Sequence, residues 1–330
     1  MTFQKKLITL TLCWTMLVII LGAYTRLTDA GLGCPDWPGC YGFLKVPHKP
    51  EKMELAAARF PERPLEHHKA WNEMIHRYLA GTLGLLIAAL FIISWRQQQR
   101  LRALPTALLA IVIFQSALGA WTVTMGLLPI IVLAHLMFGF LLFSLLALYW
   151  LQQQPALHNT EPQLTTLKPL ALLALVVVVL QIALGGWTAA NYAALACIDL
   201  PFCEAGWSER LAFAEAFNLH LGHDDYEFGV MSQDARATIH VLHRLGAVIT
   251  LSIVAWFSWR LYRLANTVLM QRLALVLAAV LLIQFTLGLL NIVLHLPLAN
   301  AVAHNFVGAN LLMLLAVSYY QISRPQAREV

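Results

Sequence analysis

Eight apolar stretches, each long enough to cross a lipid bilayer, constrain this chain more than any other feature. A membrane-spanning helix needs about 20 mainly apolar residues. Such stretches lie at 7–25, 73–94, 104–124, 129–150, 168–189, 237–259, 273–292 and 299–320. Only 12% of the residues are charged, against roughly 25% in an average soluble domain. The sequence therefore predicts an all-α integral membrane protein with eight transmembrane helices, in contact with lipid and not with nucleic acid.

The positions of Lys and Arg predict the orientation of these helices, because cytoplasmic connections are enriched in both. On one side the short connections at 125–129 and 293–298 contain neither residue. The basic residues of the other side are Lys5, Lys6, Arg96, Arg100, Arg102, Lys168, Arg260, Arg263, Arg272, Arg324 and Arg328. Two long loops complicate this pattern because they also carry basic residues. Each of these loops contains two cysteines, and paired cysteines persist as disulfides in an oxidising compartment. We therefore expect a bacterial inner-membrane protein with cytoplasmic N and C termini and periplasmic long loops.

The second half of the chain repeats the first. Gly22 and Thr25 recur as Gly185 and Thr188, and each Thr is followed by the pattern Cys-x-Asp-x-Pro-x-Cys. The shared spacing predicts two disulfides, Cys34–Cys40 and Cys197–Cys203. Each half holds an even number of spans, so the repeat is parallel and its axis runs along the membrane normal. The sequence thus predicts two pseudo-symmetric four-helix bundles, 1–151 and 170–330, joined by a linker at 152–169.

Four histidines occupy matched positions on the second, fourth, sixth and eighth spans: His76, His135, His243 and His304. An ionisable residue inside a membrane is costly, so matched pairs at one depth indicate function more than helix packing. Two facing histidines suit the two axial positions of a haem iron, whereas a structural zinc site gathers four ligands. We therefore predict one haem-binding site in each half.

Other polar residues near these histidines also recur in both halves. Gln115 and Gln284 are candidates to hydrogen-bond the ligating imidazoles, and the alternative is a bond between neighbouring helices. Arg77 and Arg244 each follow a predicted ligand directly. They are candidate partners for haem propionates, unless they extend to the membrane surface.

The halves differ three residues before the ligand on the second and sixth spans, where the first half has Glu73 and the second has His240. Positions i and i+3 share a helix face, so Glu73 would lie beside the haem of the first half only. An acid/base role is then available to Glu73, and the alternative is a simple ion pair with Arg77. The difference indicates one substrate site and one cofactor site.

Together these features resemble the bacterial haem A synthase family. The resemblance rests on the eight spans, the four histidines, the Glu73-x-x-His76-Arg77 motif, and Thr25-Arg26-Leu27-Thr28 leading into Gly31-Leu32-Gly33-Cys34-Pro35-Asp36-Trp37-Pro38. It implies an oxidoreductase that oxidises the C8 methyl of haem O to a formyl group through successive hydroxylations, with water as the oxygen source.

The resemblance also implies roles for individual residues. His76 and His135 would bind the substrate haem O beside the catalytic Glu73, and His243 and His304 would bind a haem b cofactor. His240 competes with His243 as the ligand on the sixth span. Expected partners are a haem O synthase, a redox partner and a second copy of the chain. Two alternatives are a two-haem membrane cytochrome that only carries electrons, and a haem transport or chaperone protein.

Overall fold

A computed structural model describes residues 3–97, 102–201, 203 and 206–323 of the chain. Arg100, Arg324 and Arg328, three residues of the orientation prediction, lie outside these ranges. The described residues form ten α-helices: α1 (Phe3–Leu27), α2 (Pro50–Arg59), α3 (His67–Arg96), α4 (Ala103–Thr124), α5 (Pro129–Gln152), α6 (Lys168–Ala190), α7 (Phe213–Ala216), α8 (Gln233–Leu264), α9 (Val268–Val293) and α10 (Leu298–Ser323).

Eight of these helices are long and apolar enough to cross a membrane, which confirms the predicted number of spans. They are all except α2 and α7, the short helices of the two long loops. Only 17% to 39% of the most apolar window of each helix is buried. The remaining apolar surface faces outward, where lipid would cover it.

Local sequence signals explain where several helices begin. Pro129 opens α5 at a position where its missing N–H costs no hydrogen bond. The hydroxyl of Ser232 accepts a hydrogen bond from the N–H of Ala235 at 3.2 Å, which caps α8. The hydroxyl of Thr267 likewise accepts from Met270 at 3.4 Å and caps α9.

The spanning helices pack in two closed rings of four. In the first ring α1 contacts α3 and α5, and α4 contacts the same two helices. In the second ring α8 contacts α6 and α9, and α10 contacts the same two helices. Helix α10 also packs against α1 and α5, while α5 packs against α6. A cluster of buried side chains that includes Phe143, Phe257 and Leu315 fills the second ring and its border with α5.

The two tight connections between spans have the same backbone form. Gly126 and Leu127, before α5, have φ values of 55° and 63°. His295 and Leu296, before α10, have φ values of 56° and 62°. Residues other than glycine rarely adopt positive φ. Positive φ at the same two positions of both connections shows that these connections share one backbone conformation.

Candidate functional site

The histidines of the first ring lie on its two opposite helices, α3 and α5, each of which contacts α1 and α4. His76 is on α3 and His135 is on α5, and their imidazoles are close enough to interact electrostatically. Each imidazole rests against a glycine of a neighbouring helix. A Cβ added to Gly22 of α1 would lie 2.9 Å from Cε1 of His76, and one added to Gly119 of α4 would lie 3.6 Å from Cε1 of His135.

The second ring repeats this arrangement. His243 on α8 and His304 on α10 also interact electrostatically. A Cβ on Gly185 of α6 would lie 2.9 Å from Cε1 of His243, and one on Gly288 of α9 would lie 3.2 Å from Cε1 of His304. The absence of a side chain at these glycines therefore gives each imidazole the space that it occupies.

The two predicted glutamines contact the histidines in different ways. The amide nitrogen of Gln115 donates to the backbone carbonyl of His135 at 3.0 Å. The amide nitrogen of Gln284 lies 3.3 Å from Nε2 of the His304 ring. A third glutamine, Gln181 on α6, lies 3.0 Å from Nδ1 of His243 and was not predicted from the sequence. A polar side chain in the middle of an apolar span was the signal that could have identified it.

The paired imidazoles fit a haem. In the described structure the Nδ1 atoms of His76, His135 and His304 are buried without a hydrogen-bond partner, and Gln181 covers Nδ1 of His243. In His243 this leaves Nε2 as the nitrogen that is suited to bind iron, whereas in His304 the amide of Gln284 lies beside Nε2. Two imidazoles supply the two axial ligands that a haem iron takes. Among the described residues, no group of three or more His, Cys, Asp and Glu side chains is placed to hold a metal ion.

Glu73 is buried near the N-terminal end of α3 and connects this helix to the first long loop. Its carboxylate accepts a hydrogen bond from the N–H of Cys34 at 2.7 Å and forms an ion pair with Arg77. Arg77 also donates to the carbonyl of Asp36 at 2.9 Å and to that of Gly39. The carboxylate of Asp36 in turn accepts the N–H of Tyr41 at 2.6 Å.

The second half keeps the arginine contacts and lacks the carboxylate. Arg244 donates to the carbonyl of Asp199 at 2.7 Å and to that of Cys197. His240, at the position of Glu73, is 4% exposed, and its Nδ1 has no partner among the described residues. Both arginines thus hold the loop of their own half, and only the first half places a carboxylate beside it.

Both predicted disulfides, Cys34–Cys40 and Cys197–Cys203, are present. The two long loops also contact each other through Arg63, which pairs with Asp225 at 2.5 Å and with Glu227 at 2.8 Å. Burial lowers the pKa of Arg63, but the hydrogen bond to Glu227 and the charge of Asp225 outweigh this effect and hold that pKa above its usual value. At the border between the rings, Arg26 donates to the carbonyl of Ala189 at 2.8 Å. The sequence did not indicate these connections between the halves.

The fold and the paired histidines define a multi-pass helical membrane protein with interior imidazole pairs. Residues 5–316 match the family model described as cytochrome oxidase assembly protein (COX15-CtaA). The chain belongs to this family.

Its relatives include proteins named heme A synthase. One from Shewanella oneidensis is 48% identical over 317 residues, which cover 95% of each chain. One from Shouchella clausii is 30% identical over 66% of this chain and 69% of its own length. One from Chelativorans is 25% identical over 93% of this chain and 87% of its own length.

Proposed function

We propose that this protein converts haem O into haem A, with the substrate in the first ring of helices. The observation that carries the proposal is the pair of matched histidine sites, of which only the first has a buried carboxylate, Glu73, one turn from its ligand. The extensive identity with a relative named heme A synthase supports the same reaction. A protein that only carries electrons has no evident use for this difference between its halves.

We assign the two rings to two pseudo-symmetric domains, 1–151 and 170–330, with 152–169 as linker. Their closed packing and the matched backbone of their tight turns support this division. We place the disulfide loops in the periplasm and both termini in the cytoplasm of a bacterial inner membrane, because disulfides persist in an oxidising compartment.

In the substrate site His76 and His135 would bind the iron of haem O. Conversion of the C8 methyl to a formyl group takes one water and releases four protons and four electrons. Two successive two-electron hydroxylations accomplish this, and the hydrated aldehyde then loses water. The reaction therefore needs a group that handles charge or protons next to the methyl.

Glu73 is the residue that we assign to this task. The N–H of Cys34 and the guanidinium of Arg77 hold its carboxylate in a fixed position in the protein interior. There it would stabilise positive charge that develops at the oxidised methyl, or accept a proton from the attacking water. Arg77 then orients the carboxylate and is a candidate partner for the haem propionates.

In the second ring His243 and His304 would hold haem b, which supplies one-electron redox chemistry when bound. Of the two histidines on α8, we assign the ligand role to His243, because it interacts with His304 and faces Gly185 as His76 faces Gly22. His240 lies beside the pair, and Arg244 is a candidate propionate partner. We also expect a redox partner that receives the electrons, and a haem O synthase that supplies the substrate.

Extraction of haem from the purified protein tests the proposal. The wild type, made in cells that produce haem O, should contain haem A or its hydroxylated precursor together with haem B. Haem B alone would refute the synthase function and favour an electron carrier. Glu73→Gln keeps the shape of the side chain and removes its charge, so haem O should accumulate in this variant. Loss of one such group commonly slows a reaction by about 10²- to 10⁴-fold.

The matched control is His240→Gln, at the equivalent position of the second half. It should leave the ratio of haem O to haem A near the wild-type value. An equal defect in both variants, or a normal ratio in Glu73→Gln, would show that the difference between the halves does not determine catalysis.

A further inference from the structure

We propose that Gln181 is a positioning residue that orients the His243 imidazole and adjusts its electron donation to iron, in the second half of the protein only. The inference rests on the proposed function in one respect, namely that His243 is a haem ligand. Neither the resemblance to a family nor the four-histidine pattern assigns a role to this residue.

The contacts of Gln181 are specific to His243. Its amide nitrogen lies 3.0 Å from Nδ1 of the imidazole and donates to the backbone carbonyl of the same residue at 2.9 Å. Gln181 precedes Gly185 by four positions on α6, so the two residues share a helix face. The imidazole therefore rests against Gly185 while the amide of Gln181 holds its Nδ1 edge.

The space for this side chain comes from a second glycine. A Cβ on Gly246 of α8 would overlap with Oε1 of Gln181. In the first half, the positions that match Gln181 and Gly246 are Val18 and Leu79. At these two positions the second half thus has a long polar residue and a glycine, whereas the first half has two apolar residues.

This paired difference shows that packing alone does not require the amide. The first half has hydrocarbon side chains at both matched positions, and Nδ1 of His76 is buried without a partner in the described structure. Within a membrane, the apolar solution avoids burying a polar group. A glutamine at this place therefore indicates a function at the imidazole that it contacts.

The chemistry of a ligating histidine identifies that function. When one ring nitrogen binds iron, the other carries a proton, and a hydrogen bond from that proton raises the basicity of the ligand. In this structure the NH₂ group of Gln181 donates to an unprotonated Nδ1. When Nε2 binds iron and Nδ1 carries the proton, the amide must turn by half a rotation. Its oxygen, buried with no partner in the described residues, then accepts from Nδ1, and the bond to the His243 carbonyl is given up.

A more basic imidazole stabilises ferric iron over ferrous iron and so lowers the reduction potential of the haem. A haem bound by His243 and His304 would then be the better electron donor. Replacing Gln181 by Val, the residue of the first half, removes this effect. We expect the preference for ferric iron to fall about tenfold, which corresponds to a rise of about 59 mV for a one-electron couple.

The experiment is an optical redox titration of the low-spin haem in the purified full-length protein. Gln181→Val should raise the midpoint potential, and Gln181→Glu, which supplies a stronger acceptor, should bring it to the wild-type value or below. Val18→Ala, at the matched position of the first half, should leave the second-half potential unchanged. Equal potentials in the wild type and in Gln181→Val would overturn the proposal, as would a shift of the same sign in the Val and Glu variants.

If Gln181→Val loses the haem, the Glu variant decides the question. Retention of haem in Gln181→Glu supports the proposal, and loss in both variants shows a packing role and overturns it. His243→Ala separates this inference from the ligand assignment. If the second-half haem signal survives in His243→Ala, the ligand assignment is wrong whatever Gln181 does.

Discussion

The glycines that face the histidines lead to a graded prediction. Gly185→Ala adds one methyl group, and that methyl would lie 2.9 Å from Cε1 of His243, whereas ordinary contact begins at 3.4 Å. The imidazole must therefore move by about half an ångström, or the two helices must separate by a similar amount. A displacement of this size is enough to disturb a site whose geometry must be held within about 0.5 Å.

The cost of the added methyl follows from overpacking, which typically destabilises a well-packed interior by about 1–3 kcal/mol. Because about 1.4 kcal/mol corresponds to a factor of ten in affinity, haem binding in the second half should weaken by roughly 5- to 150-fold. Gly22→Ala, with the same 2.9 Å contact to His76, should weaken the first site equally. The effect should be smaller for Gly288→Ala at 3.2 Å and nearly absent for Gly119→Ala at 3.6 Å.

The assay is the haem content and absorption spectrum of each purified variant, titrated with added haem. Gly81→Ala is the matched control, because a Cβ at Gly81 would meet nothing within 4 Å. It also accounts for the gain in helix propensity, about 1 kcal/mol, that any Gly→Ala change brings. Equal haem affinity in Gly185→Ala and Gly81→Ala would refute the idea that these glycines make room for the ligands.

Three further predictions concern ligation, topology and pH. His304→Ala should remove one low-spin haem signal while the first site still loads, and an unchanged spectrum would show that His304 only packs. After reduction, a membrane-impermeant thiol reagent added to intact spheroplasts should label Cys203, the partly exposed cysteine of the second long loop, and labelling only after lysis would place this loop in the cytoplasm. Glu161, in the linker, is subject to burial, which raises its pKa, but hydrogen bonds from Thr267 and the N–H of Asn266 outweigh burial and lower it. The stability from this depressed pKa is present above the ordinary value of 4.5 and is lost as the pH falls below it. Melting temperatures of the wild type and Glu161→Gln in detergent should therefore differ at neutral pH and converge in acid, and a difference independent of pH would contradict this assignment.

The sequence predicted the number and approximate limits of the spans because lipid imposes a simple requirement. Each helix must be apolar over about 20 residues, and that pattern is visible without any partner helix. The observed α3 (His67–Arg96) and α8 (Gln233–Leu264) begin six and four residues before the predicted spans and end two and five residues after them. Their added N-terminal residues are mostly polar, so hydropathy did not include them, whereas Glu73 and His240 lie just inside the predicted spans.

The candidate site was predictable only where the repeat made it visible. Matched residues such as His76 and His243 stand out from a sequence with two copies of one unit. Gln181 has no polar counterpart in the first half, so comparison of the copies gave it no support. Its role becomes visible only when α6 and α8 are side by side, because residues 62 positions apart in sequence meet there.

By itself, the sequence determined the all-helical class, the eight spans, the repeat, the disulfide pairs and the four matched histidines. These features depend on composition or on spacing along one chain. Only the tertiary structure decided which surfaces meet: glycines against imidazoles, Glu73 against Cys34, and Arg63 against Asp225 in the other loop. The physical reason is that lipid selects apolar helices one at a time, whereas contacts between helices depend on close packing among several of them.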